Sequence, residues 1–170
     1  MSVNSRLIRL FQTAPRIPYH QGSRFVLMSD CHRGTGNWSD NFLKNQHLFL
    51  AALTYYYQRD FTYIELGDGD ELWENRSMKQ VIQVHADTFE MMAKFYRENR
   101  LYMIYGNHDR VKEKQKFLSR NCREYYCENK CCSSPLLPGL CAHEGIVLKN
   151  ISTETQLFLL HGHQGDLLND

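Results

Sequence analysis

Residues 63–71 read Tyr63-Ile64-Glu65-Leu66-Gly67-Asp68-Gly69-Asp70-Glu71. A short apolar run stops at a glycine and gives way at once to carboxylates. Its length and flanking residues suit a buried strand. The glycines permit positive φ and let the loop approach a ligand closely. The same pattern recurs along the chain. Phe25-Val26-Leu27-Met28 runs into Ser29-Asp30-Cys31-His32, and Leu101–Tyr105 into Gly106-Asn107-His108-Asp109. Gln156–Leu160 runs into His161-Gly162-His163. Gly145-Ile146-Val147-Leu148 is a further apolar run, and the polar stretch Asn150–Thr155 after it predicts a hairpin with Gln156–Leu160.

Helical spacing fills the intervals. Phe42, Phe49, Leu50, Leu53 and Tyr57 recur between the first two runs, and Val81, Ile82, Phe89, Met92 and Phe95 between the second and third. Asp40 and Ser77 are the expected helix caps. Alternating strands and helices imply parallel pairing through right-handed crossovers, hence an α/β, layered architecture. In such sheets ligands bind where the carboxyl ends of the strands converge. Each loop alone reads equally well as a turn. Four in order, each at a strand end, predict one site rich in carboxylate, imidazole and amide donors. That donor chemistry suits Mn²⁺, Fe or Zn²⁺.

Composition bounds the rest. The chain has 170 residues, 42% hydrophobic and 23% charged, with a formal net charge of +1. This fits one ordinary globular domain and supplies no global field for nucleic acid or membrane. No nucleic-acid partner is expected, and the apolar runs are too short to span a bilayer. Residues 1–23 read as a leader, poorly ordered or docked, with a short amphipathic surface helix as the alternative; no secretory signal is expected. Five of the six cysteines fall after residue 120. Their spacing is not that of a zinc ribbon, so the segment 120–142 reads as an insertion carrying free thiols, which points to a reducing cytoplasm.

Asp30-x-His32, Gly67-Asp68-x-x-Glu71 and Gly106-Asn107-His108-Asp109 resemble the first three signature blocks of calcineurin-like metallophosphoesterases, and His161-Gly162 resembles the fourth. The similarity covers residues 24–170. It implies a layered αββα sandwich and hydrolysis of phosphate esters by two divalent ions (Mn, Fe or Zn), with a bridging hydroxide as nucleophile. By resemblance, Asp30 and His32 hold one ion, Asp68 bridges both, and Asn107 and His161 hold the second. His108 would stabilise the phosphate or act as general acid, with Glu71 orienting its ring. Where the family usually has Gly-Asp-x-x-Asp, Glu71 is similar to bacterial members such as the UDP-diacylglucosamine diphosphatases. That branch often carries Arg where His108 stands. A nucleotide or lipid-precursor diphosphatase is therefore the alternative enzyme, and a non-catalytic scaffold the alternative without turnover.

The resemblance also marks a departure. The family closes its site with Gly-His-x-His, whereas this chain has Gly162-His163-Gln164-Gly165 and runs out at Leu167-Leu168-Asn169-Asp170. The expectation is that the final block lies past residue 170, leaving each metal sphere one imidazole short. His163 is a ligand, a supporting donor or a substrate contact. Arg33 and Arg76 either grip an anion or face solvent, and Asp70 and Asp109 either support the ligands or cap turns. Trp73, Tyr105 and His85 are expected to pack. Cys31 is expected to point away from the metals, and His20, His47 and His143 to be incidental. Substrate identity and oligomeric state are not legible at this level.

Overall fold

The computed structural model describes residues 3–38, 40–127 and 131–165. Helix α1 (Val3–Thr13) leads into strand β1 (Arg16–Tyr19), and β2 (Phe25–Met28) follows. After α2 (Gln46–Tyr57) come β3 (Thr62–Leu66), α3 (Met78–Val84), α4 (Ala86–Arg97) and β4 (Leu101–Ile104). Then come α5 (Gln115–Asn121), the β5 (Glu124–Cys127) and β6 (Cys132–Pro135) pair, and β7 (Ala142–His143). Strands β8 (Gly145–Asn150) and β9 (Gln156–Leu160) complete the strands among the described residues.

Strands β2, β3, β4 and β7 pair in parallel, in that order, so the three motif loops after β2, β3 and β4 leave the same edge. A second sheet has the order β1-β8-β9, with β1 parallel to β8 and β9 antiparallel to it. Its β8–β9 pairing is the expected hairpin, in register from Gly145 opposite Leu160 to Lys149 opposite Gln156.

Alternation along the strands divides the core into two slabs. Tyr63, Leu101 and Met103 join Leu53, Val81, Ile82, Phe89, Met92 and Phe95 on the helical side of the parallel sheet. Ile64 and Ile104 meet Ile17, Ile146 and Leu148 between the two sheets. Covered on both faces, β3 has no solvent side, so its sequence does not alternate, and even its one carboxylate, Glu65, is buried. On the far face of the second sheet, α1 packs against β8, and Phe11 meets Phe158 edge-on at 5.4 Å. Helices, sheet, sheet and helix make the αββα sandwich.

Several local expectations change. Asp40 does not cap α2, which begins at Gln46; its carboxylate instead accepts the N–H groups of Gly36 and Leu43 in the preceding turns, where Phe42 is buried. Ser77 does cap α3, accepting from Gln80 N–H. The single helix expected across Val81–Phe95 is broken at His85, whose ring binds Asp40 at 2.8 Å and Gln46 at 3.2 Å. There the ring is held by hydrogen-bond partners from another segment of the chain.

The amino-terminal stretch is docked through both α1 and β1, with Arg6 paired to Glu144 at 2.9 Å. In the cysteine-rich segment, β5 and β6 form a hairpin with Cys127 opposite Cys132, and no disulfide links the described cysteines. The closing stretch 167–170 lies outside the described residues.

Candidate metal centre

Main-chain bonds lock the first two loops together. Asp30 N–H donates to Gly67 O, His32 N–H to Asp68 O and Arg33 N–H to Gly69 O, at 2.9–3.2 Å, and Glu71 N–H returns to Arg33 O at 3.0 Å. Asp30, His32 and Asp68 all take left-handed backbone, with φ of 56°, 49° and 48°. Glycine would adopt that conformation without the steric cost of a Cβ. Keeping Asp and His in these strained positions is the pattern of a functional loop. Gly67 (φ 93°) lies under His161, and a Cβ there would come within 2.7 Å of the ring. At Gly106 a Cβ would collide with the Asp68 carboxylate.

The Asp68 carboxylate is the hub. Its side chain is 4% exposed, against 62% for Asp30, so the cluster opens to solvent on the Asp30 side. Asp68 Oδ2 lies 3.2 Å from His161 Nε2 and 3.9 Å from His32 Nε2, and Oδ1 accepts His108 N–H at 2.9 Å. Burial opposes its charge, but bonds from His161 and the His108 amide hold its pKa below the usual carboxylate value. The hydrogen bond to Asp68 lifts the His161 pKa to about 9 despite burial.

Each imidazole is oriented from behind. His161 Nδ1 is 2.9 Å from Leu66 O, an acceptor only, so Nδ1 carries the proton and Nε2 faces Asp68. Glu71 Oε2 takes both His32 Nδ1 at 3.1 Å and His108 Nδ1 at 2.7 Å, turning both Nε2 atoms away from it. Its Oε1 accepts the N–H groups of Trp73 and Glu74. Burial pushes the Glu71 pKa up, yet the Glu74 amide and the two histidines bring it below normal.

Two groups of side chains could each hold an ion: Asp30, Asp68 and His161, and His32, Asp68 and His108. The donor set of carboxylates and Nδ1-anchored imidazoles fits hard or borderline divalent cations. Asp68 is common to both of these His and carboxylate groups. Asp30 falls with His161, and His32 with His108, although His32 Nε2 is also 3.9 Å from Asp30 Oδ1. Asn107 lies in the same loop, next to His108.

Behind the hub is a buried charge network that the motifs did not reveal. Arg33 was expected to grip an anion or face solvent; it does neither. Its fully buried guanidinium pairs with Asp70 at 2.6 Å and Glu65 at 2.7 Å, and lies over the Phe89 ring. Lys112, also fully buried, pairs with Asp70 at 2.6 Å and Asp109 at 2.7 Å. Asp109 accepts the N–H groups of Gly106, Asp68, Gly69 and Asp70, stitching the β3 and β4 loops together through one carboxylate. Burial would raise the Asp70 pKa, but Arg33 and Lys112 pull it down to about 2. Burial would likewise lower that of Lys112, and Asp109 and Asp70 override it. Glu65 was the available signal: a carboxylate inside an apolar strand needs a buried cation.

The remaining candidates divide. Trp73 does not pack into the core; it is 63% exposed, with its ring edge-on to His108 at 4.9 Å. Tyr105 and His85 are buried as expected. His163 is buried beside His161, and neither ring nitrogen has a hydrogen-bond partner among the described residues. Burial raises the Cys31 pKa to about 12. Among the described residues no candidate metal group includes a cysteine, and no helix is long and apolar enough to cross a membrane.

Comparison with known proteins finds no match among curated proteins or solved structures. The sequence model of calcineurin-like phosphoesterases, however, matches residues 23–170, a span that holds all four motif loops. With that match on top of the αββα sandwich and the donor cluster at its strand ends, the chain belongs to the calcineurin-like phosphoesterase family.

Proposed function

We propose that this protein hydrolyses phosphate esters with two divalent ions that share Asp68. Membership in the family makes metal-dependent phosphoester hydrolysis the activity class. The observation that supports a dinuclear centre is the Asp68 carboxylate, common to both donor groups and held ionised at the meeting point of four loops. Ions bound there would polarise the phosphoryl oxygens and acidify a water for in-line attack; Mn²⁺, Fe and Zn²⁺ all suit the donors.

The chain's own residues have separable tasks. Asp30, His32, Asp68, Asn107 and His161 hold the metals. Glu71 fixes the tautomers of His32 and His108, so that their Nε2 atoms point into the centre. His108 stabilises the phosphate or donates a proton to the leaving oxygen. A second reading, favoured by its grouping with His32 and Asp68, makes His108 a metal ligand instead.

His108→Ala separates the two. With Mn²⁺ and an aryl phosphate, a proton donor's loss lowers turnover by roughly 10²–10⁴-fold and leaves metal content intact. Loss of a metal ion in that variant establishes ligation. Turnover at the wild-type rate with full metal content contradicts both roles.

A further inference from the structure

Asp30 and His32 also form one wall of an open groove of about 410 Å³. The rest of the lining comes from the turns ahead of α2 and the start of that helix: the apolar Phe42, Leu48, Phe49 and Ala52, with the uncharged Asn41 and Asn45. The volume falls within the usual range of small-molecule sites. Leu48 is 74% exposed, although its neighbours Phe42 and Phe49 are turned inward. No lysine or arginine is among the described lining residues. Arg33, next to His32, is buried and paired with Glu65 and Asp70, and the exposed Lys44, next to Asn45, is not among the lining residues.

These features select one class of occupant. A second phosphate or a carboxylate in the groove would meet the Asp30 carboxylate and no lysine or arginine of the lining. An uncharged apolar group would instead cover Leu48 and Phe49, at a gain of about fourfold in affinity per buried methylene. We infer that the substrate is a phosphate ester whose organic part is uncharged and apolar, aromatic or branched aliphatic, seated in this groove with its phosphate at the Asp30–Asp68 cluster. This deepens the hydrolytic reading and rests on it for the position of the phosphate. It disfavours the diphosphatase alternative, whose second phosphate meets no lysine or arginine of the groove lining.

The test compares 1-naphthyl phosphate with methyl phosphate on the Mn²⁺-loaded protein, by calorimetric binding and by turnover, in the wild type and in Leu48→Arg and Ala52→Trp. Leu48 is exposed, so its substitution leaves the core untouched. The wild type is expected to bind the naphthyl ester at least about tenfold more tightly. Either variant should erase that preference with metal content unchanged, and Ala52→Trp should also leave affinity for methyl phosphate unchanged. Equal affinity for the two esters in the wild type overturns the inference. So does a preference that both variants retain. Tight, groove-dependent naphthyl binding without hydrolysis of either ester keeps the groove and sinks the hydrolytic reading; hydrolysis of both at equal efficiency does the reverse. Sedimentation of the same samples adds one more contrary outcome: a dimer that Leu48→Arg dissociates, with no ester preference, assigns this face to a second copy of the chain.

Discussion

Asp68, His161 and Lys112 each carry a charge whose partner is fixed by the fold, and each makes a different prediction. In the metal-free protein His161 keeps its proton to about pH 9, above its ordinary value of 6.5, because Asp68 accepts from it. Its folded pKa is raised, so its contribution to stability is complete below 6.5 and disappears as pH rises through 9. A metal ion needs the neutral imidazole and must displace that proton. Manganese affinity should therefore climb between pH 6.5 and 9, with proton release seen by calorimetry in buffers of different ionisation enthalpy. A flat profile would remove His161 from the ligand set. Lys112→Met takes one cation from the buried network and leaves Asp70 and Asp109 under-compensated. A loss of about 3–5 kcal/mol in urea unfolding is expected; an unchanged midpoint would show that the network is not electrostatically coupled. At this scale the ligands were legible because the chemistry demands particular side chains at strand ends. Arg33 was not, since nothing local indicates that the loop after β2 meets Glu65 of β3 and Asp70 beyond it.

The elements show the same division between local and distant causes. Strands β2, β3, β4, β8 and β9 are legible as apolar runs bounded by turn residues. Strand β1 is a four-residue edge containing Pro18, whose missing N–H suits an edge but hides the strand in sequence. The break between α3 and α4 depends on Asp40, 45 residues away from His85. Helix α2 is held chiefly by packing, with Leu53 fully buried against the parallel sheet and α4. Leu53→Ala should cost about 2–5 kcal/mol by the transfer and cavity terms, measured by thermal or urea denaturation. A cost below about 1 kcal/mol would mean that α2 is only loosely docked. Because α2 also supplies Leu48 and Ala52, that variant should lose naphthyl phosphate affinity before it loses metal.

For the whole molecule, two stacked sheets bring four loops to one place, and a single carboxylate joins them. The parallel order β2-β3-β4 sets Asp30, Asp68 and His108 side by side, and the β8–β9 hairpin delivers His161 from the second sheet. The layering was expected from the alternation of strands and helices. That Asp30 and His161 lie together was not legible, because it depends on how the two sheets stack. The most direct measurement is a manganese titration that counts ions bound per chain in the wild type, Asp30→Ala and Asp68→Asn. A shared hub predicts two ions in the wild type, one in Asp30→Ala, and none in Asp68→Asn, because one substitution then disables both groups. An Asp68→Asn protein that still binds an ion as tightly as the wild type would contradict the dinuclear centre.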